Sequence, residues 1–300
     1  MALNQKFLAE KGKSLLAPSN AVTSTVYNKD MLATINSIYS SEDRTSIPGR
    51  DLAIPDLPIK PLGITVTNLQ DVEDIVGSAD SLSDWNDFFQ TDIYADTEFT
   101  SVEVIGTTQI QLFGATNLSL RAALFSPNKN GYDWIVSIDD QAGSITNIGD
   151  IVFSSCDSLT ELNLPNVKRF GFNTFYNCDN LSTIIAPSLL LIDDYAFENC
   201  ENGLTSIDFP ECLIVNRYAF RSCDSLESVN LPKLLDIGNS AFSNCTSLSS
   251  IYTPSLLSIG GEDIFNNSVF SGIIGNTISF TLPQRLMTSD YGVLNQMCRL

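Results

Sequence analysis

The chain has 300 residues, 43% of them apolar, which is enough for a sizeable core and too many for general disorder. Acidic residues outnumber basic ones 35 to 16, and no apolar run reaches the roughly 18 residues that a helix needs to cross a bilayer. A surface of that charge repels nucleic-acid phosphates and anionic membranes, which excludes DNA, RNA and membrane insertion and leaves a basic protein open.

Residues 1–60 hold six acids and seven bases and are rich in Ser, Thr, Asn and Pro. They have little to bury alone, so the expectation is an extended arm that a partner or a neighbouring copy orders. Lys6, Lys11 and Lys13 interrupt any hydrophobic stretch, which makes a poor secretory signal. Residues 61–147 read as a small mixed α/β piece, either a domain of its own or an N-terminal cap on the C-terminal half. Thr67 or Asn68 is placed to cap a helix over 69–76, and Ser83 a second helix starting near Trp85. Alternation in FTSVEVI and QIQLF predicts strands, and DWIVSI a buried one.

From about residue 148 to 268 the chain repeats itself. Pro165, Pro187, Pro210, Pro232 and Pro254 are spaced 22, 23, 22 and 22 residues, and Cys156, Cys178, Cys200, Cys223 and Cys245 keep the same rhythm. So do Phe153, Phe175, Phe197, Phe220 and Phe242, with Phe265 displaced by one residue. Leu118, Leu120, Ala123 and Phe125 resemble a degenerate earlier turn of this repeat. One such unit cannot bury its own apolar face, so successive turns must stack into a solenoid. The stretches 159–164, 181–186, 204–209, 226–231 and 248–253 alternate, which predicts one short parallel strand per turn. Leu162, Ile184, Ile207, Val229 and Ile251 then point inward. Proline, lacking an amide hydrogen, suits the strand end. Beyond the proline comes a second inward pair, such as Val167 with Phe170, and a turn or short helix then delivers the phenylalanine. The additional residue in Glu201-Asn202-Gly203 reads as an insertion outside the ladder. Residues 269–300 read as a C-terminal cap on the last rung.

The pattern resembles the BspA-type (Treponema pallidum-type) leucine-rich repeat, whose units run close to LxxIxLPxxxxxIGxxAFxxCxx. That resemblance implies a leucine-rich-repeat solenoid of short parallel strands with irregular or short-helical connections. It also implies the company of bacterial surface and adhesion proteins that bind host or matrix proteins, and of phage proteins.

Chemistry finds little support. There is no histidine, which removes Ser-His-Asp and Cys-His nucleophiles and histidine metal sites. No glycine-rich phosphate loop follows a strand, and neither a catalytic residue, a metal nor a cofactor is implied. The cysteine spacing is not that of a metal site; a reduced structural ladder is favoured, with disulfides between stacked turns open on distance alone. Asp139-Asp140 and Asp193-Asp194 could serve glycoside hydrolysis only across a cleft, and read as solvated surface acids. Asn177, Asn199, Asn244 and Asn266, with Ser155 and Ser222, are expected to satisfy turn backbone. Trp85, Trp134 and Tyr132 suggest either buried packing or a carbohydrate platform.

Binding has the better case. Outward strand positions put Asn163, Ile185, Asp208, Asn230 and Tyr252 in one column, beside Glu161, Thr183, Ser206, Ser228 and Ser250. A varied column on a rigid scaffold is how solenoids recognise partners. An arm without apparent export signal or anchor, leading into a compact solenoid, suits a non-enzymatic structural or attachment protein of a bacteriophage virion, contacting neighbouring subunits or a surface receptor. The alternatives are a bacterial cell-surface adhesin and, after it, an intracellular scaffold.

Overall fold

The computed structural model describes residues 60–89, 99–115, 118–127, 133–259, 264 and 279–281. The arm expected over 1–60, apart from Lys60, the positions of Phe265, Asn266 and Tyr132, and most of the cap expected over 269–300 lie outside the described residues.

The described chain opens with strand β1 (Leu62–Val66) and two helices, α1 (Leu69–Ile75) and α2 (Leu82–Phe89). Asn68 caps α1, its side chain accepting from the Asp71 amide at 3.0 Å. Helix α2 begins before Ser83. Ser81 is its capping side chain instead, accepting from the Asp84 amide at 3.2 Å. Helix α2 buries Trp85, Phe88 and Phe89, which pack with Phe99, Phe125 and Trp134 into an aromatic cluster. Both tryptophans are fully buried and unavailable as a platform.

Strands β2 (Ser101–Ile105) and β3 (Gln109–Phe113) form a hairpin, and β4 (Leu118–Leu120), β5 (Ile135–Asp140) and β6 (Ile145–Ile148) come after it. The repeats then supply two strands per turn, where the sequence predicted one. The first set is β7 (Glu161–Asn163), β9 (Thr183–Ile185), β11 (Ser206–Asp208), β13 (Ser228–Asn230) and β15 (Ser250–Tyr252). The second is β8 (Arg169–Phe170), β10 (Leu191–Ile192), β12 (Ile214–Val215), β14 (Asp236–Ile237) and β16 (Ser258–Ile259). Strand β17 (Ser279–Thr281) pairs parallel with β15.

The second set forms one unbroken parallel sheet, in the order β16-β14-β12-β10-β8. The first set is divided. Strands β2-β3-β1-β5-β7-β9 make a six-stranded sheet, and β11-β13-β15-β17 a separate four-stranded one. The insertion Glu201-Asn202-Gly203 sits at this division, so it interrupts the ladder and does not merely lie outside it. Gly203 is wedged there: a side chain on it would meet the Leu181 carbonyl oxygen at 2.5 Å. Ile184, beside the break, is only half-buried, whereas its counterparts Leu162, Ile207, Val229 and Ile251 are buried.

Between the second strand and the cysteine each turn is built from tight turns, with no helix. Two residues per rung take the left-handed conformation: Asn173 and Asn177, Tyr195 and Asn199, Tyr218 and Ser222, Ser240 and Asn244, preceded by Ile151 and Ser155. Two left-handed residues four apart cannot propagate a helix, and asparagine tolerates that conformation best among residues with a side chain. Asn177, Asn199 and Asn244 thus serve the turn conformation, and their side chains also bond across rungs, Asn199 Nδ2 to Asn177 Oδ1 at 3.0 Å and Asn244 Nδ2 to Ser222 Oγ at 3.4 Å.

These turns align two ladders in the core. Phe125, Phe153, Phe175, Phe197, Phe220 and Phe242 stack nearly parallel, with successive centroids 4.8–5.4 Å apart. Beside them the thiols of Cys156, Cys178, Cys200, Cys223 and Cys245 each donate to the phenylalanine carbonyl of the preceding rung, while Cys212 donates to the Ile214 carbonyl. Cys178 reaches Phe153 at 2.9 Å, Cys223 reaches Phe197 at 3.0 Å and Cys245 reaches Phe220 at 3.0 Å. Cys156 does the same to Phe125 at 3.2 Å, so the segment around Phe125 is a partial rung, lacking only its own first strand. The six described cysteines are free thiols, and burial pushes Cys212 and Cys245 up to about 12.

Candidate strand-face binding surface

Because strand side chains alternate, every second residue of the six-stranded sheet faces away from the core. Register pairs carry one outward row through Glu103, Gln111, Gly63, Asp139, Asn163 and Ile185. A second row runs through Ile105, Gln109, Thr65, Ser137, Glu161 and Thr183. Six strands at about 4.8 Å spacing make this surface roughly 24 Å wide. Across the break, Ser206, Ser228 and Ser250 form one row, and Asp208, Asn230 and Tyr252 the other.

All ten residues expected on the partner-binding column therefore lie on one side of the strands, Glu161, Asn163, Thr183 and Ile185 before the break and the other six after it. Asn163, Ser228 and Ser250 are half-buried and the rest exposed. Two carboxylate–amide bonds stiffen the surface: Asn163 Nδ2 donates to Asp139 Oδ1 at 2.7 Å and Asn230 Nδ2 to Asp208 Oδ1 at 2.8 Å. No lysine or arginine falls in these rows; Glu103, Asp139, Glu161 and Asp208 are their charges.

The N-terminal half of the surface was not legible in the sequence. Glu103, Ile105, Gln109, Gln111, Gly63 and Thr65 come from segments with no shared period, brought together only by antiparallel register. The alternation in FTSVEVI and QIQLF was the available signal, but it does not say which strand pairs with which.

The acidic pairs behave differently from expectation. Asp140 is fully buried and accepts from Ser144 N and Oγ, both at 2.8 Å, and from the Ile145 amide at 2.7 Å, holding the turn between β5 and β6. Burial raises its carboxyl above the usual range, against those hydrogen bonds. Asp193 and Asp194 are buried, not solvated, because arginines from neighbouring rungs reach them. Arg169 bridges Asp193 at 2.6 Å and Asp150 at 3.2 Å, and Arg217 pairs with Asp194 at 2.9 Å. Burial works against ionisation of Asp193, but the Arg169 guanidinium and its hydrogen bond outweigh it and hold the carboxyl below its usual range. On the same edge Tyr195 and Tyr218 stack at 5.0 Å, with Arg217 and Arg221 over their rings. These groups hold rungs together. Among the described residues no cluster of three metal-ligating side chains occurs, and no helix is long and apolar enough to cross a membrane.

Residues 146–273 match the family model described as BspA type leucine rich repeat region, in six copies. Among solved structures, the T. pallidum leucine rich repeat protein is 25% identical, with 52% of this chain and 79% of that one covered and a TM-score of 0.38. A leucine rich cell surface protein from Faecalibacterium prausnitzii A2-165 is 24% identical over 55% of this chain and 43% of that one, TM-score 0.42. A leucine-rich repeat protein from Bacteroides ovatus ATCC 8483 is 20% identical over 45% and 58%, TM-score 0.20. No curated protein gives a match.

Proposed function

We propose that this chain, whose residues 146–273 are a BspA-type leucine-rich repeat region, is a non-enzymatic binding protein that recognises another protein through the outward face of its strands. The observation that carries the reading is the placement of exposed apolar side chains. Among the described residues four large ones are exposed, and three of them, Ile105, Ile185 and Tyr252, stand on this face among amides, hydroxyls and carboxylates. Apolar anchors ringed by polar groups are the anatomy of a protein interface. The acidic rows favour a partner surface bearing lysine or arginine.

The family resemblance supports adhesion at a bacterial cell surface over a place in a phage particle. A place in a particle depends on the arm of residues 1–60, nearly all of which lies outside the described residues, and no comparison names a virion component. Residues 61–147 act in this reading as the solenoid's N-terminal cap, since β5 pairs directly with β7.

The test is retention of purified matrix and cell-surface proteins on the immobilised full chain, against an Ile185→Asp/Tyr252→Ala variant. Both positions are exposed, so the variant is expected to melt like the parent and to lose about 2 kcal/mol or more of binding. Equal retention by both chains would remove the strand face from the account. Fractionation adds the setting: peptides in the envelope fraction are expected, and a fixed copy number in purified phage particles would restore the virion reading.

A further inference from the structure

Nine described glycines divide by what makes them glycine. Gly77, Gly106, Gly114 and Gly143 have positive φ, which disfavours a side chain. Gly149, Gly171, Gly203 and Gly238 are pressed against backbone, where an added Cβ would meet atoms at 2.4–2.9 Å. Gly63 has neither reason. Its backbone is ordinary strand, and a Cβ on it would find only Asp139 O at 3.5 Å and Asp139 Cβ at 3.6 Å, normal contact distances. It nevertheless occupies the middle of β1, in the centre of a three-strand row, where glycine weakens a strand. A strand glycine marks either a bulge or a place where something else approaches the sheet, and β1 shifts register against β5 only further on, between Thr65 and Val66.

A depression of about 220 Å3 is lined in part by Gly63, Ile64 and Ile110, the two isoleucines being buried residues of the core. Its wall carries three amides (Gln109, Gln111 and Gln141), the Thr65 hydroxyl, the Asp139 carboxylate and the Pro61 ring. Gln141 Nε2 donates to Asp139 Oδ2 at 2.6 Å while Asn163 holds the other oxygen at 2.7 Å, so the carboxylate is fixed in place. The volume is below the roughly 300–1,000 Å3 of clefts that enclose drug-sized ligands, so it takes one small unit. The lining offers donors and acceptors of both kinds, one carboxylate and no cation. That matches vicinal hydroxyls, which donate to Asp139 and to amide oxygens while accepting from amide nitrogens. An anionic group would meet Asp139 without a counter-charge.

From this geometry we infer that the depression over Gly63 is a subsite for a single neutral sugar unit. It lies on the N-terminal part of the proposed protein-binding face, since Gly63, Thr65, Gln109, Gln111 and Asp139 belong to the outward rows, but it contains neither Ile185 nor Tyr252, so each proposal can fail without the other.

The experiment titrates the isotope-labelled full chain with millimolar galactose, mannose and N-acetylglucosamine, with glucuronate as the charged control, and follows amide resonances. At least one neutral sugar is expected to shift the Gly63 amide and the glutamine side-chain amides, with glucuronate binding more weakly. Gly63→Val fills the depression with a residue that strands favour, and Gln111→Ala removes one amide. Each is expected to weaken binding about tenfold or more. If no neutral sugar moves these resonances, or if both variants bind as the parent does, the subsite is overturned. A chain that shows no sugar shifts yet still loses its protein partner on Ile185→Asp overturns this inference alone.

Discussion

The thiol of Cys200 donates to the carbonyl oxygen of Phe175, one rung before it, at 3.1 Å. The same oxygen already accepts from the Cys178 amide at 3.2 Å, so the thiol uses its second lone pair. Cysteine at this position is thus both a small apolar filler and a cross-rung donor, repeated at every described rung. Cys200→Val keeps the bulk and removes the donor, and is expected to cost about 1 kcal/mol. Cys200→Ser keeps a donor and should cost less. Urea unfolding of the pair checks this; a neutral valine variant would mean that the bond contributes nothing. Burial also predicts that the six described cysteines resist thiol reagents at neutral pH until denaturant is added, and in Cys156, Cys178, Cys212, Cys223 and Cys245 it holds the thiol above its usual pKa as well.

Deleting Asn202 is expected to stabilise the protein. It restores the 22-residue spacing and lets β9 pair with β11, joining the two first-column sheets. The measurements are the melting temperature and hydrogen exchange at the amides of Thr205 to Asp208, which should become better protected. Unchanged protection would mean that the break has a cause other than the insertion.

Arg169 is the second test of cross-rung bonding. Its guanidinium spans Asp150 and Asp193, and the Asp193 side chain is only 6% exposed. Arg169→Met strands a buried carboxylate and should cost about 2 kcal/mol, less than the 3–5 of a fully enclosed pair because the arginine is partly solvated. Adding Asp193→Asn should recover part of the loss, read as a coupling energy in a double-mutant cycle.

Stability should rise on mild acidification. Asp133, Asp140, Asp157, Glu198 and Asp236 all sit above the ordinary carboxyl range, each chiefly through burial. A carboxyl raised in the folded state contributes stability that is fully present below its unfolded pKa, about 4, and lost as pH rises through the folded value. Asp193, held low, has the opposite sign: its contribution is present above about 4 and lost as pH falls through its depressed folded pKa. The melting temperature is therefore expected to be higher near pH 5 than near pH 7.5. Asp236→Asn should raise the neutral value and flatten the slope, because Asp236 has an oxygen buried without a partner. A melting temperature that falls from pH 7.5 to pH 5 contradicts this.

The solenoid was legible because its reporters, proline, cysteine and phenylalanine, recur together and each has one physical use per rung. The ten-residue column was legible for the same reason, since alternation within a repeat assigns sides. The second inward pair of each turn, such as Val167 and Phe170, was legible too and is buried, but the second strand was not, because residues three apart do not alternate. Nor was the partnering of Asp193 and Asp194. Composition suggested solvent, although Arg169 and Arg217 lie 24 and 23 residues away, one rung from their acids. The rows through Gln111 and Gly63 depend on pairing of β1 with β3 and β5, segments tens of residues apart, which no local pattern encodes.

Along the turn side the rungs are tied by an unbroken parallel sheet, while along the strand side the tie is missing at one place. A bending moment therefore meets least resistance at that rung, and the stiff side serves as the fulcrum. Any flexing there would spread or close the strand face beside Ile185, as the jaws of a caliper move about a fixed pivot. One inserted residue thus sets the least braced rung of the described solenoid next to Ile185, the most exposed large apolar side chain among the described residues.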